Sequence, residues 1–289
     1  MYRYAHTIIL LFIALIVQSQ SIGDTIIIGG IDYVLKDNSD VLWQKFAQSA
    51  PGDTIDLKHR RFAMDRGLGM KDSFYIKNGV LKRKPEHKRY LKQLTCDTDT
   101  LILDNTAGLK FYQELLIVWG VDYGQNSYPS RGFIKEVKKD TVILFSPLSG
   151  CYEPGYLVTN IYNTLHTGGN YRRNITIDSV IFYGNSGQNR ITNDWRINTN
   201  IVARGWDNLI VNCSFYNIPN ENIIYCGTDI VNNKGLQLDG SFTHKSCSPN
   251  VYGGVSLIPH DTIKGNYVEE ICLDGNPSNG HCQGALTYS

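Results

Sequence analysis

The sequence lacks a long hydrophobic run, a sizeable net charge and a recognisable cysteine framework, and each absence narrows what the chain is. Its main apolar stretch, residues 7–17, is short for a membrane span, which needs about 20 residues. With Arg3 before it and Ser19-Gln-Ser21 after it, the stretch reads as a secretory signal over residues 1–23. No Cys directly follows the run, so a lipoprotein-type anchor has no residue to modify. Removing the signal takes one of the 28 basic residues and none of the acidic ones, leaving 27 against 27. Global charge therefore points neither toward nor away from nucleic acid, and the signal argues against it. Stable membrane insertion after cleavage is not expected. Apolar residues are 42% and charged residues 19%, which excludes a disordered chain and a multi-span membrane protein. The seven cysteines (Cys96, Cys151, Cys213, Cys226, Cys247, Cys272, Cys282) fit no metal or disulfide scaffold by spacing. Several lie in apolar runs, where Cys packs as a small hydrophobe, so at most one or two disulfides are expected.

What is present is a loose repeat. The segments Asn200-Ile-Val-Ala-Arg, Asn222-Ile-Ile-Tyr-Cys, Gly254-Val-Ser-Leu-Ile and Gly284-Ala-Leu-Thr-Tyr each open on Asn or Gly. Their spacing, about 20 to just over 30 residues, is that of solenoid coils. One such unit cannot bury its own apolar face, so the coils must stack. Ahead of them, Ser39 or Asp40 caps a predicted helix through residues 41–49 with Leu42 and Phe46 on one face, fit to cover the first coil. Pro51-Gly52-Asp53 then turns the chain into strands, with a further turn at Asn78-Gly79. Residues 101–165 break the rhythm with hairpin-like alternation, which predicts an inserted β-rich module. The expected organisation is a signal over 1–23, a cap and first coils over 24–100, the module over 101–165, and further coils over 166–289. The last residues, 283–289, read as a strand without a cap, which raises the expectation of a truncated product.

Pro51-Gly-Asp-Thr-Ile, Asn174-Ile-Thr-Ile, Asn208-Leu-Ile-Val-Asn-Cys-Ser-Phe and Asn222-Ile-Ile resemble the coils of the pectate-lyase-like superfamily, including its secreted bacterial members. The likeness covers roughly residues 26–94 and 171–289. It implies an all-β fold: a right-handed parallel β-helix (solenoid) with an N-terminal capping helix, interrupted by the inserted module. It says little about activity, because this fold hosts lyases, hydrolases, epimerases, phage depolymerases and binding proteins.

The resemblance implies that substrate lies along one outer ribbon of parallel strands. Alternation predicts that Ile201, Ile223, Val255 and Ala285, and beyond them Ala203, Tyr225, Leu257 and Thr287, point inward. The outward positions are then Val202, Ile224, Ser256 and Leu286, followed by Arg204, Cys226, Ile258 and Tyr288. That face carries no paired carboxylates for glycoside hydrolysis, and Gly280-His-Cys is not the Gly-His-Gly of polygalacturonases, so a hydrolase is disfavoured. A lyase instead needs a cation or metal to neutralise a uronate carboxylate and a base to take the acidified proton. Candidates for catalysis are Arg204 and His260. Glu221 and Asn222 are candidate ligands for Ca²⁺, which takes oxygen donors. Two long excursions, residues 184–199 and 239–252, are expected to wall the groove. They offer Trp195, Arg196, His244 and Lys245 for substrate binding, with His281 and Tyr288 on the ribbon itself. Each of these residues also has a structural reading as a turn, strand end or packing residue.

Residues 58–92 hold twelve Lys or Arg against Asp65, Asp72 and Glu86. Such a segment either attracts a polyanion or serves as a solvated edge. The leading expectation is a secreted, periplasmic or cell-surface lyase acting on an acidic polysaccharide. A non-catalytic glycan-binding or adhesin β-helix is the alternative. A phage-type tail-fibre depolymerase is a third, opposed by the signal. The sequence leaves oligomeric state open.

Overall fold

The computed structural model describes residues 25–28, 31–34, 37–85, 87–117, 130–168, 170–184, 199–218, 222–238, 242–245, 251–252, 255–256 and 261–271. Short strands with one apolar side find both hydrogen-bonding partners and burial only on the neighbouring coil. The chain accordingly winds into a parallel β-helix whose coils stack along three ribbons. The first ribbon pairs Leu68–Gly69, Leu165–His166, 201–204, 223–226 and Thr243–Lys245 in succession. The second stacks Thr54–Asp56, 75–77, 176–178, 209–211, 229–231 and Ile263–Lys264. The third runs from Arg61–Met64 through 80–83, 180–183, Ser214–Ile218 and Lys234–Leu238 to Tyr267–Ile271.

The side chains explain the register. Ile55, Ile76, Ile177, Ile210, Ile230 and Ile263 lie directly one above another on the second ribbon. The first five are at most 1% exposed, and each contributes about 2 kcal/mol by leaving water. A slip of one residue would turn that whole column outward. Two residues beyond it, Asn78, Ser179, Asn212, Asn232 and Gly265 all have positive φ, between 54° and 67°. Asn and Gly tolerate this left-handed corner best, which accounts for the recurring Asn after each apolar run. The expected turn at Asn78-Gly79 is this corner, within the strand Tyr75–Arg83. Inside the coils, Phe182 and Phe215 stack at 5.0 Å, and Phe242 meets Phe215 edge-on at 5.7 Å.

The predicted cap is present as the helix Ser39–Gln48, which buries Leu42 and Phe46 in the same core as the coils. The inserted module is present too, as a six-stranded antiparallel sheet with a core of its own around Leu115, Ile134, Val142 and Val158. It begins earlier than the alternation predicted, taking in Lys88–Tyr90 as an edge strand. A disulfide joins Cys96 to Cys151, Cys226 is also disulfide-bonded, and Cys213 is a buried free thiol. The module leaves the coil after Arg83 and returns at Leu165. Its two ends meet: the Lys84 backbone N–H donates to the Tyr162 hydroxyl at 3.1 Å, and the Arg83 guanidinium lies 4.6 Å from the Tyr162 ring centroid.

Two expectations need correction. The coil stacked on 223–226 is Thr243–Lys245, with Ile223 paired to Thr243, not the segment at Val255. Val255–Ser256 pairs antiparallel with Val251–Tyr252. Matching coils by an opening Asn or Gly skipped this one, which opens on Phe242. Residues 243–245 are thus a ribbon strand, not part of a loop wall. The predicted signal and the terminal segment 283–289 lie outside the described residues.

Candidate functional site

On the outer side of the first ribbon, Gly69, His166, Val202 and Ile224 form a column in register. The inward column beside it is Leu68, Leu165, Ile201 and Ile223, all fully buried, as alternation predicted for the last two. The outer column floors a cavity of about 540 Å³. One wall is the module, through Tyr112, Glu114, Arg131 and Phe133, and another is the capping helix, through Trp43. Arg204 and Gly168 complete the ribbon side. The apolar outer face predicted from Val202 and Ile224 is present, but both are buried, at 7% and 1% exposure.

His166 owes its place to absent side chains. A Cβ on Gly67 would lie 2.6 Å from the Asn163 carbonyl oxygen and 2.9 Å from His166 Cδ2, so only glycine permits the imidazole to lie there. Protein surrounds the ring except toward the cavity, and this desolvation pushes its pKa down to about 4. The imidazole is consequently neutral at physiological pH and able to accept a proton.

Glu114 and Phe133 face each other across the module's central strand pair. Burial raises the Glu114 pKa, opposed by the Arg131 guanidinium, whose Nη1 lies 3.7 Å from Oε1. The carboxyl therefore keeps its proton to a higher pH than an exposed one. Tyr112 stacks on Phe133 at 5.2 Å and meets Trp43 at 5.4 Å, so three aromatic rings line the walls. The loop that carries Tyr112 is anchored to the coil and the helix. Arg66 donates to the Phe111 carbonyl at 2.8 Å, and Lys110 pairs with Asp40 at 2.9 Å and Asp65 at 3.0 Å. Burial of Asp65 works against its charge. The hydrogen bonds from Ser39 and Lys110, with the Lys110 and Arg66 charges, nonetheless hold its pKa below the ordinary value.

No protein-family model matches the chain, and no curated protein matches it. Among solved structures it is similar to phage tailspikes. The tailspike gp49 of Pseudomonas phage LKA1 is 14% identical over 78% of this chain and 43% of its own, with a TM-score of 0.27. The gp54 tailspike of Acinetobacter baumannii bacteriophage AP22, solved with A. baumannii capsular saccharide, is 10% identical over 81% of this chain and 43% of its own, with a TM-score of 0.26. The chain spans less than half the length of either. At these scores the fold rests on the chain's own strand register.

Of the expected site residues, the cavity takes in Arg204, whose backbone N–H donates to Thr167 Oγ1 at 3.3 Å. His244 follows Ile224 in the outer column, and Lys245 pairs with Tyr225 of the inward column; their side chains lie outside the description. His260, Trp195, Arg196, His281, Tyr288 and Glu221 fall outside the described residues. Asn222 is fully buried and stacks next to Asn200 through the Ile201 N–H to Asn222 C=O bond of 3.0 Å. From that interior position it does not fit an outward Ca²⁺ ligand. Among the described residues no three His, Cys, Asp or Glu side chains cluster as a metal site. Sequence reasoning missed His166, Glu114, Arg131 and the aromatic walls. The signal for His166 was its place after Leu165, in phase with Ile201-Val202.

Proposed function

We propose that the chain is a secreted carbohydrate-active protein of the pectate-lyase-like superfamily that cleaves a uronate-containing polysaccharide by β-elimination in this groove. The observation that carries the reading is the gathering of two guanidinium groups, a neutral imidazole and a carboxyl whose pKa is raised between aromatic walls. Arg131 and Arg204 neutralise the uronate carboxylate, which acidifies the proton on the adjacent ring carbon. His166 takes that proton. The electron pair forms the ring C=C bond as the bond to the leaving glycosidic oxygen breaks, and the Glu114 carboxyl gives that oxygen a proton. Trp43, Tyr112 and Phe133 hold sugar faces. The Cys96–Cys151 disulfide supports an oxidising compartment. No step is routed through Ca²⁺.

The test is a panel of pectate, alginate, chondroitin, heparin and a neutral polymer, incubated with the protein with and without Ca²⁺. Ultraviolet absorbance of unsaturated uronates should rise with an acidic polymer and be lost in His166→Ala. Reducing ends without absorbance would replace the lyase reading with hydrolysis. The buried apolar floor of Val202 and Ile224 favours a second reading, glycan binding without turnover. Tight binding with neither signal would establish that alternative.

A further inference from the structure

We propose that Phe111, Tyr112, Phe133 and Phe145 form a stacking platform for pyranose rings that extends the groove outward along the module. The proposal rests on the reading of the groove as a polysaccharide site and adds a subsite to it. Among the described residues these four rings are the most exposed aromatic group outside the coils, at 48%, 42%, 39% and 50%. They touch one another at centroid distances of 5.2 to 5.9 Å. An exposed apolar cluster costs solubility and marks a contact surface.

The backbone aims them. Phe145 N–H donates to the Phe133 carbonyl at 3.0 Å, and Phe133 pairs with Glu114, so one row across the sheet runs from the half-buried carboxyl to the outermost ring. Tyr112 holds a left-handed φ of 64°, a conformation that bulky residues adopt rarely and at a cost. Its N–H is fixed to the Ile134 carbonyl at 2.7 Å, and Arg66 grips the preceding carbonyl. These two hydrogen bonds hold the backbone that carries the ring. The occupant must then have an apolar face, a polar rim and continuity with a groove that carries Arg131 and Arg204. A chain of acidic sugars meets all three conditions, and its polymer form explains why recognition would continue beyond the cavity.

The measurement is calorimetric titration of short and long pectate and alginate oligosaccharides into the wild type and into Phe111→Ala/Phe145→Ala. Both rings are exposed, so near-ultraviolet circular dichroism and a melt should show the variant folded. The long oligosaccharides should bind the variant about tenfold more weakly for each ring removed. The short ones should shift less. Equal affinity of both proteins for the long chains would overturn the platform and leave the groove reading intact. Binding without cleavage would sink the lyase chemistry and leave the platform standing. Failure of the wild type to bind any oligosaccharide would overturn both. Sedimentation of both proteins adds a final arm: a wild-type oligomer that dissociates in the variant would reassign the rings to contact between copies of this chain.

Discussion

In the proposed chemistry, His166 ties function to stability through one proton. Its pKa is 6.5 in a free chain and about 4 in the fold, so the unfolded state binds the proton more tightly. Stability from the desolvated neutral ring is present above pH 6.5 and is lost as the pH falls toward about 4. Asp65, with a pKa held below 3.8, loses its contribution only at still lower pH. Urea midpoints measured between pH 7 and 4 should therefore decline in the wild type and stay flatter in His166→Gln. An unchanged slope would show that the ring is already solvated. Turnover should follow the same protonation, falling on the acid side near pH 4.

Corners and close approaches set the elements. A Cβ on Gly205 would lie 1.5 Å from the Arg172 carbonyl oxygen, where the strand 172–173 pairs with 205–206. Gly205→Ala must push two backbones apart and should cost at least about 3 kcal/mol, read as a fall in the denaturation midpoint. A stability equal to the wild type would mean that the coils are spaced more loosely than their hydrogen bonds imply.

The same local rules show what was legible in the sequence. Inward columns such as Ile201 over Ile223 followed from alternation, and the cap over Leu42 and Phe46 from a capping residue and helical spacing. The groove did not, because its parts come from three places in the chain. Glu114 reaches the ribbon only because the module folds back, and no periodicity encodes that return. The coil at Thr243 was skipped because Phe242, not Asn or Gly, opens it.

For the whole molecule, the basic segment is less a surface than its composition implied. Arg66, Arg83 and Arg89 are buried, at 4%, 0% and 1% exposure, and Arg83 donates to the Thr199 carbonyl at 3.3 Å inside the fold. Lys82 lies on the third ribbon beside Tyr183, away from the groove lining. Lys82→Glu/Lys84→Glu should therefore change affinity for an acidic polysaccharide by less than about fivefold. A larger loss, suppressed by salt, would return the polyanion site to this segment.

The meeting of the module's two ends has a consequence for how such a protein diversifies. Lys84 and Tyr162 close the gap at the coil, and the module carries its own core and disulfide. The excursion is thus a cassette plugged into a finished frame. Swapping it would replace Glu114, Arg131 and the aromatic wall in a single recombination while His166 and Arg204 stay on the frame. If the groove holds a polysaccharide as proposed, new polymer preferences can arise by grafting, without renegotiating the isoleucine spine.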